Sequence, residues 1–181
     1  MNPAAHLVLV GAMGAGKSSI GRRLASRLGL PFEDLDEAIE ARTGTRVAMI
    51  FECEGEAGFR ARERELLAER LQASRAGVIA TGGGAVLAAE NRALMRARGF
   101  VVWLQVGLDA QRERLARDRS RPLLQASDRD TVLRRLAEER GPLYAEVADF
   151  AFATDGFSAR EAADSLAAAL ATRWQRTGEA A

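Results

Sequence analysis

Eight consecutive residues, Gly11-Ala12-Met13-Gly14-Ala15-Gly16-Lys17-Ser18, carry the most specific chemistry in the sequence. A glycine, then four residues, then glycine, lysine and a hydroxyl is the spacing of a loop that wraps phosphate oxygens in its own backbone amides. Glycine lets the backbone reach positive φ and turn its N–H groups inward, and a helix opening at Ser18 adds the partial positive charge of its N-terminus. Lys17 would then reach the β- and γ-phosphates of a nucleoside triphosphate, and Ser18 a Mg²⁺ ion. Lys17 is also the only lysine among 26 Lys and Arg residues. A chain that uses arginine everywhere else keeps the slender ammonium where a planar guanidinium is too broad.

A phosphate loop alone leaves the phosphoryl acceptor open. Asp34 and Asp36 follow at the end of the segment Pro31-Phe32-Glu33-Asp34. In phosphoryl transfer one carboxylate can hold Mg²⁺ through water while another accepts the proton of the attacking hydroxyl. Asp36 also precedes Glu37-Ala38-Ile39, so capping of a helix is the competing use of that side chain. A third constellation, Ala80-Thr81-Gly82-Gly83-Gly84, has no acid but lets the backbone approach a ligand closely, with the Thr81 hydroxyl available to a metal-bound water.

These groups need elements to position them. Leu7-Val8-Leu9-Val10 is apolar on both faces, as in a strand inside a parallel sheet, and Ile20, Leu24 and Leu28 recur at helical spacing before Gly29. Further strands are expected at 31–34, 78–80, 100–104 and 150–152. Helices are expected at 36–42, 47–53 and 56–74, and from near Ala88, Asp109 and Ser158. Strands alternating with helices predict an α/β domain with five mostly parallel strands, each carboxyl end facing the ligand side. Residues 116–128 are charged and poor in apolar anchors, which suits a lid over a site, and 177–181 read as a frayed tail.

Composition bounds the partners. At 181 residues, 48% apolar and 28% charged, the chain is expected to form a single domain over 1–181. The formal charge of +1 argues against a dedicated nucleic-acid or membrane-surface binder. One cysteine, Cys53, excludes an internal disulfide, and one histidine, His6, excludes multi-histidine metal sites. With no signal-like or membrane-spanning apolar run, a cytoplasmic location is expected.

The phosphate loop with Ser19-Ile20-Gly21-Arg22, the segment Phe32-Glu33-Asp34-Leu35-Asp36, Ile50-Phe51 followed by Gly55-Glu56-Ala57-Gly58-Phe59-Arg60, and Thr81-Gly82-Gly83-Gly84 together resemble shikimate kinase, a family of phosphate-loop kinases related to the nucleoside-monophosphate kinases. Arg121-Pro122-Leu123-Leu124 and Glu139-Arg140-Gly141-Pro142-Leu143-Tyr144 complete the resemblance, in order and spacing. It implies a three-layer fold with a five-stranded parallel sheet and a lid, and ATP-dependent phosphorylation of the 3-hydroxyl of shikimate on the route to aromatic amino acids. By position, ATP would meet Gly14, Ala15, Gly16, Lys17, Ser18, Ser19, Arg114 and Arg121. Shikimate would meet Asp36, Arg60, Gly82, Gly83 and Arg140, within an acceptor segment at about 34–62. Mg²⁺ would be held by Ser18 and Asp34, catalysis would rest on Lys17, Asp36 and Arg121, and the family favours a monomer. Two features depart from the pattern: Ser19 replaces a common threonine, and Thr154-Asp155-Gly156-Phe157-Ser158 lacks an arginine that some members place around adenine, leaving Phe157 to stack there instead. On the residues alone, another small-molecule kinase of the same fold, such as a gluconate or nucleotide kinase, or a binding module without turnover, stays open.

Overall fold

Every residue of β1 (His6–Val10) is buried, and its alternating side chains serve two different cores. Leu7 and Leu9 point into one, Val8 and Val10 into the other, because successive strand side chains leave opposite faces. Residues 4–116 and 128–175 are described by the computed structural model of the chain; Arg121, expected to meet the transferring phosphate, and nearly all of the expected lid, with the expected frayed tail, lie outside the described residues.

The elements run β1, α1 (Lys17–Leu28), β2 (Phe32–Asp34), α2 (Leu35–Thr43), α3 (Val47–Gln72), β3 (Val78–Ala80), a 3₁₀ turn (Ala85–Leu87), α4 (Ala89–Arg98), β4 (Gly99–Gln105), α5 (Leu108–Leu115), α6 (Arg129–Val147), β5 (Phe150–Ala153) and α7 (Ala159–Leu170). The strands form one five-stranded sheet in the order β2-β3-β1-β4-β5, with every neighbouring pair parallel. The α/β class, the five strands and their parallel pairing agree with the reading from sequence.

The two cores make three layers. On one face α1 and α7 cover the sheet with Ile20, Leu24, Leu166 and Leu170 against Leu7, Leu9, Val102 and Leu104. On the other, α2, α3, α4 and α6 contribute Ile39, Leu66, Leu67, Met95, Tyr144 and Val147 against Val8, Val10, Ile79 and Val101. Burial of each such side chain contributes roughly 1.5–3 kcal/mol. From β1 the chain crosses outward to β2, and β3 then crosses back over β1 to reach β4 on its other side, so the order reverses at β1 and a crevice at the carboxyl ends opens at such a reversal.

Two boundaries bear on the site. Helix α3 is two helical stretches joined at Gly55, whose φ of 71° and ψ of −179° only glycine readily adopts; the expected division between residues 53 and 56 falls at this kink. Helix α2 begins one residue earlier than expected and is capped by Asp34, which accepts from the amides of Asp36 and Glu37. The capping alternative for Asp36 is therefore corrected: β2 stays extended through Asp34, so the N-cap position falls on that residue. Among the described residues no helix is long and apolar enough to cross a membrane.

Candidate active site

The loop after β1 turns on Gly11, Gly14 and Gly16, with φ of 143°, 76° and 90°. At Gly11 a Cβ would stand 2.4 Å from the Leu104 carbonyl oxygen, so β4 itself requires glycine there. Gly16 caps α1 without a side-chain hydrogen bond, a setting in which first-turn amides serve an anion. Lys17 Nζ donates to the carbonyls of Gly11 and Ala12, at 2.8 Å each. From α5, Gln111 donates to the Met13 carbonyl at 2.8 Å and Arg114 to the Gly14 carbonyl at 3.0 Å. Arg114 also donates to Thr154 Oγ1 and to the Thr154 carbonyl, tying the loop to the end of β5.

Beside the loop, the Ser18 hydroxyl hydrogen-bonds Asp34 Oδ2. The other oxygen, Oδ1, accepts from the amides of Asp36 at 2.9 Å and Glu37 at 3.3 Å. One carboxylate is thus divided: Oδ1 orders the start of α2 while Oδ2 faces the phosphate loop. A hydroxyl and one carboxylate oxygen at hydrogen-bonding distance fit Mg²⁺, which favours one or two carboxylates with substrate phosphates and retained water.

The turn Gly82-Gly83-Gly84 gathers the remaining groups. A Cβ on Gly82 would meet Glu63 Oε1 at 2.4 Å and Asp36 Oδ1 at 3.1 Å. One on Gly83 would lie 3.6 Å from the Tyr144 hydroxyl and 3.7 Å from Arg140 Nη1, and one on Gly84 only 2.1 Å from Arg60 Nη2. Each missing side chain leaves room for a different functional group. Arg60 is held by Glu63 at 2.7 Å and Glu56 at 3.1 Å, and Arg140 is buried. Burial pushes the Glu63 carboxyl above its ordinary range despite the neighbouring Arg60.

A cavity of about 760 Å³ joins these parts, walled by Gly14, Gly16, Lys17, Ser18, Ser19, Asp34, Asp36, Gly82, Gly83 and Arg114 among others. The structure therefore brings the loop, both aspartates and two of the glycines into one chamber. Arg60 and Arg140 do not line this chamber; they stand against Gly84 and Gly83. Ala15 is fully buried within the loop. The Thr81 hydroxyl donates to the Leu9 carbonyl at 3.1 Å, so its donor stitches β3 to β1 and is not spent on a bound water. Phe157 is exposed, with its ring 5.9 Å from that of Phe152.

The model of the shikimate kinase family matches residues 13–171. The chain belongs to the shikimate kinase family. It is 55% identical over 176 residues to a shikimate kinase of Stenotrophomonas maltophilia, covering 97% of both chains. It is 52% identical over 181 residues to one of Xanthomonas axonopodis pv. citri, covering all of both. A structure of shikimate kinase from Acinetobacter baumannii in complex with shikimate superposes with a TM-score of 0.90 at 43% identity, covering 94% of this chain and 95% of that one. The parallel sheet described above is thus the family's fold.

Sequence reasoning missed several residues of this kinase site. Glu63 is wholly buried beside Arg60; its signal was the spacing of three residues on one helix, which brings a carboxylate next to a guanidinium. Glu37, Glu40, Arg46, Val47 and Ala48 line the chamber from α2 and the start of α3, and none belongs to a pattern with a distinctive residue type.

Proposed function

We propose that the chain transfers the γ-phosphoryl group of ATP to the 3-hydroxyl of shikimate, giving ADP and shikimate 3-phosphate. The observation that carries this reading is the shared chamber: Lys17 and Ser18 on one wall, Asp36 with Gly82 and Gly83 on another, in a chain that is a shikimate kinase by family. A nucleotide bound along the loop would direct its terminal phosphate toward the paired aspartates.

Gly14, Ala15, Gly16 and Ser19 supply the loop and first helical turn that embrace the polyphosphate, and Lys17 neutralises its β- and γ-oxygens. That requires the Nζ to exchange its two loop carbonyls for phosphate oxygens. Arg114 packs beside the adenine in this reading, which its anchoring to both Gly14 and Thr154 supports. Ser18 and Asp34 would hold Mg²⁺, which when bound neutralises charge on the phosphates.

Asp36 orients the acceptor hydroxyl and accepts its proton as the oxygen attacks phosphorus. Arg60 and Arg140 hold the acceptor carboxylate, for which a guanidinium pair is the complementary group. Gly82 and Gly83 let the ring lie against backbone. Arg121, assigned from its place in Arg121-Pro122-Leu123-Leu124, supplies a cation to the transferring phosphoryl.

A coupled ADP assay across acceptors tests the assignment. Turnover with shikimate well above that with gluconate or nucleoside monophosphates is expected. Faster turnover of either alternative, or no shikimate-dependent ADP, overturns it.

A further inference from the structure

Tyr144 is the only tyrosine in the chain and is buried, so its hydroxyl has to find partners inside the protein. The hydroxyl donates to the Gly83 carbonyl at 2.5 Å. Arg140, one helical turn earlier on α6, lies on the same side of the turn: a Cβ on Gly83 would stand 3.6 Å from the Tyr144 hydroxyl and 3.7 Å from Arg140 Nη1. The ring lies 5.9 Å from that of Trp103 at the end of β4. One phenol thus joins a cation, a glycine carbonyl and a sheet strand that the sequence separates widely.

The consequence is geometric. A trans peptide is planar, so fixing the Gly83 carbonyl toward Tyr144 turns the amide of Gly84 away from it and sets the orientation of the glycine turn. Glycine has no side chain to resist rotation of that peptide, so the restraint must come from outside the turn. Arg140 Nη1 lies beside the same glycine, so the fixed hydroxyl also bounds the space that guanidinium has. Packing of the ring in the core could be met by phenylalanine; the hydroxyl serves the two groups that bracket the acceptor.

We propose that Tyr144 is a positioning residue for the acceptor, its hydroxyl locking Arg140 and the Gly83 peptide into one fixed arrangement. It makes no contact with the reacting atoms. This rests on the assignment of Arg140 and Gly83 to shikimate. Loss of the hydroxyl should therefore weaken acceptor binding while sparing the nucleotide and the chemical step.

Shikimate-dependent ADP formation is measured for the wild type, Tyr144→Phe, Arg140→Lys and the double variant. Tyr144→Phe is expected to raise the shikimate KM about tenfold, with kcat within about twofold and the ATP KM unchanged. The double variant is expected to be no worse than Arg140→Lys alone, because both changes break one linkage. An unchanged shikimate KM, an equal rise in the ATP KM, or additive losses would overturn the proposal. Biosynthetic 3-fluorotyrosine labels this site alone and keeps the fold in question intact: shikimate should shift its ¹⁹F resonance, and a resonance indifferent to saturating shikimate counts against the role. Wild-type protein without shikimate-dependent turnover contradicts the functional reading itself, whereas an active wild type with an indifferent Tyr144→Phe contradicts only this inference.

Discussion

Arg60 Nη1 donates to Glu63 Oε2 at 2.7 Å, and Glu63 is fully sealed from solvent while Arg60 keeps partial access. The acid is therefore a fixed internal post, and the guanidinium is the part that reaches the surface beside Gly84. Leaving Glu63 charged inside the protein is costly without Arg60, so the pair behaves as one unit.

The titration of Glu63 follows from this. Burial raises its pKa above the ordinary 4.5, against the opposing pull of Arg60. A raised folded-state pKa contributes stability that is fully present below the unfolded value and is lost as pH rises through the folded one. Glu63→Gln cannot ionise and lacks this dependence. The melting temperature of the wild type relative to Glu63→Gln should accordingly be higher at about pH 5 than at about pH 8. A gap that does not change with pH would contradict the environment described.

Gly84 tests the placement of Arg60. An added Cβ would fall 2.1 Å from Nη2 and 2.4 Å from Cζ, and Glu56 and Glu63 hold the guanidinium against moving aside. Gly84→Ala should raise the shikimate KM about tenfold or more, a loss on the order of 1.4 kcal/mol, and leave the ATP KM within about twofold. Steady-state kinetics in each substrate decide it, and an unaffected shikimate KM would show that Arg60 has no part in acceptor binding.

Asp36→Asn keeps the size and hydrogen-bonding reach of the side chain but cannot take up a proton. A kcat loss of about 10²–10⁴-fold is expected, with ATP affinity by calorimetry nearly unchanged. Retained turnover would remove the carboxylate from the chemistry.

Arg114 reaches both the Gly14 carbonyl and Thr154. Arg114→Ala should raise the ATP KM about tenfold and spare the shikimate KM, since among the described residues its hydrogen bonds run to the phosphate loop and Thr154. The reverse pattern in the two KM values would place Arg114 on the wrong side of the chamber.

Much of this was legible in the chain because local physics dictates it. A loop of positive-φ glycines after a buried strand has few other uses, and the strands alternate apolar side chains into two cores as Leu7, Val8, Leu9 and Val10 do. What stayed hidden depends on contacts between distant segments. Glu63 looks like any charged residue of a helix until the turn at Gly82 closes over it. Asp34 rather than Asp36 caps α2 because β2 extends through it, and the Thr81 hydroxyl is taken by Leu9, 72 positions away. Arginine is so common here that Arg46 gave no signal of lining the chamber.

The destination of the phosphoryl group defines the reaction. Incubation with Mg-ATP and shikimate, followed by phosphorus and proton NMR of the product, reads it directly. One new phosphate monoester coupled to the proton on carbon 3 is expected, formed in step with ADP. A phosphate on another hydroxyl, or ADP formed at the same rate without shikimate, would contradict it.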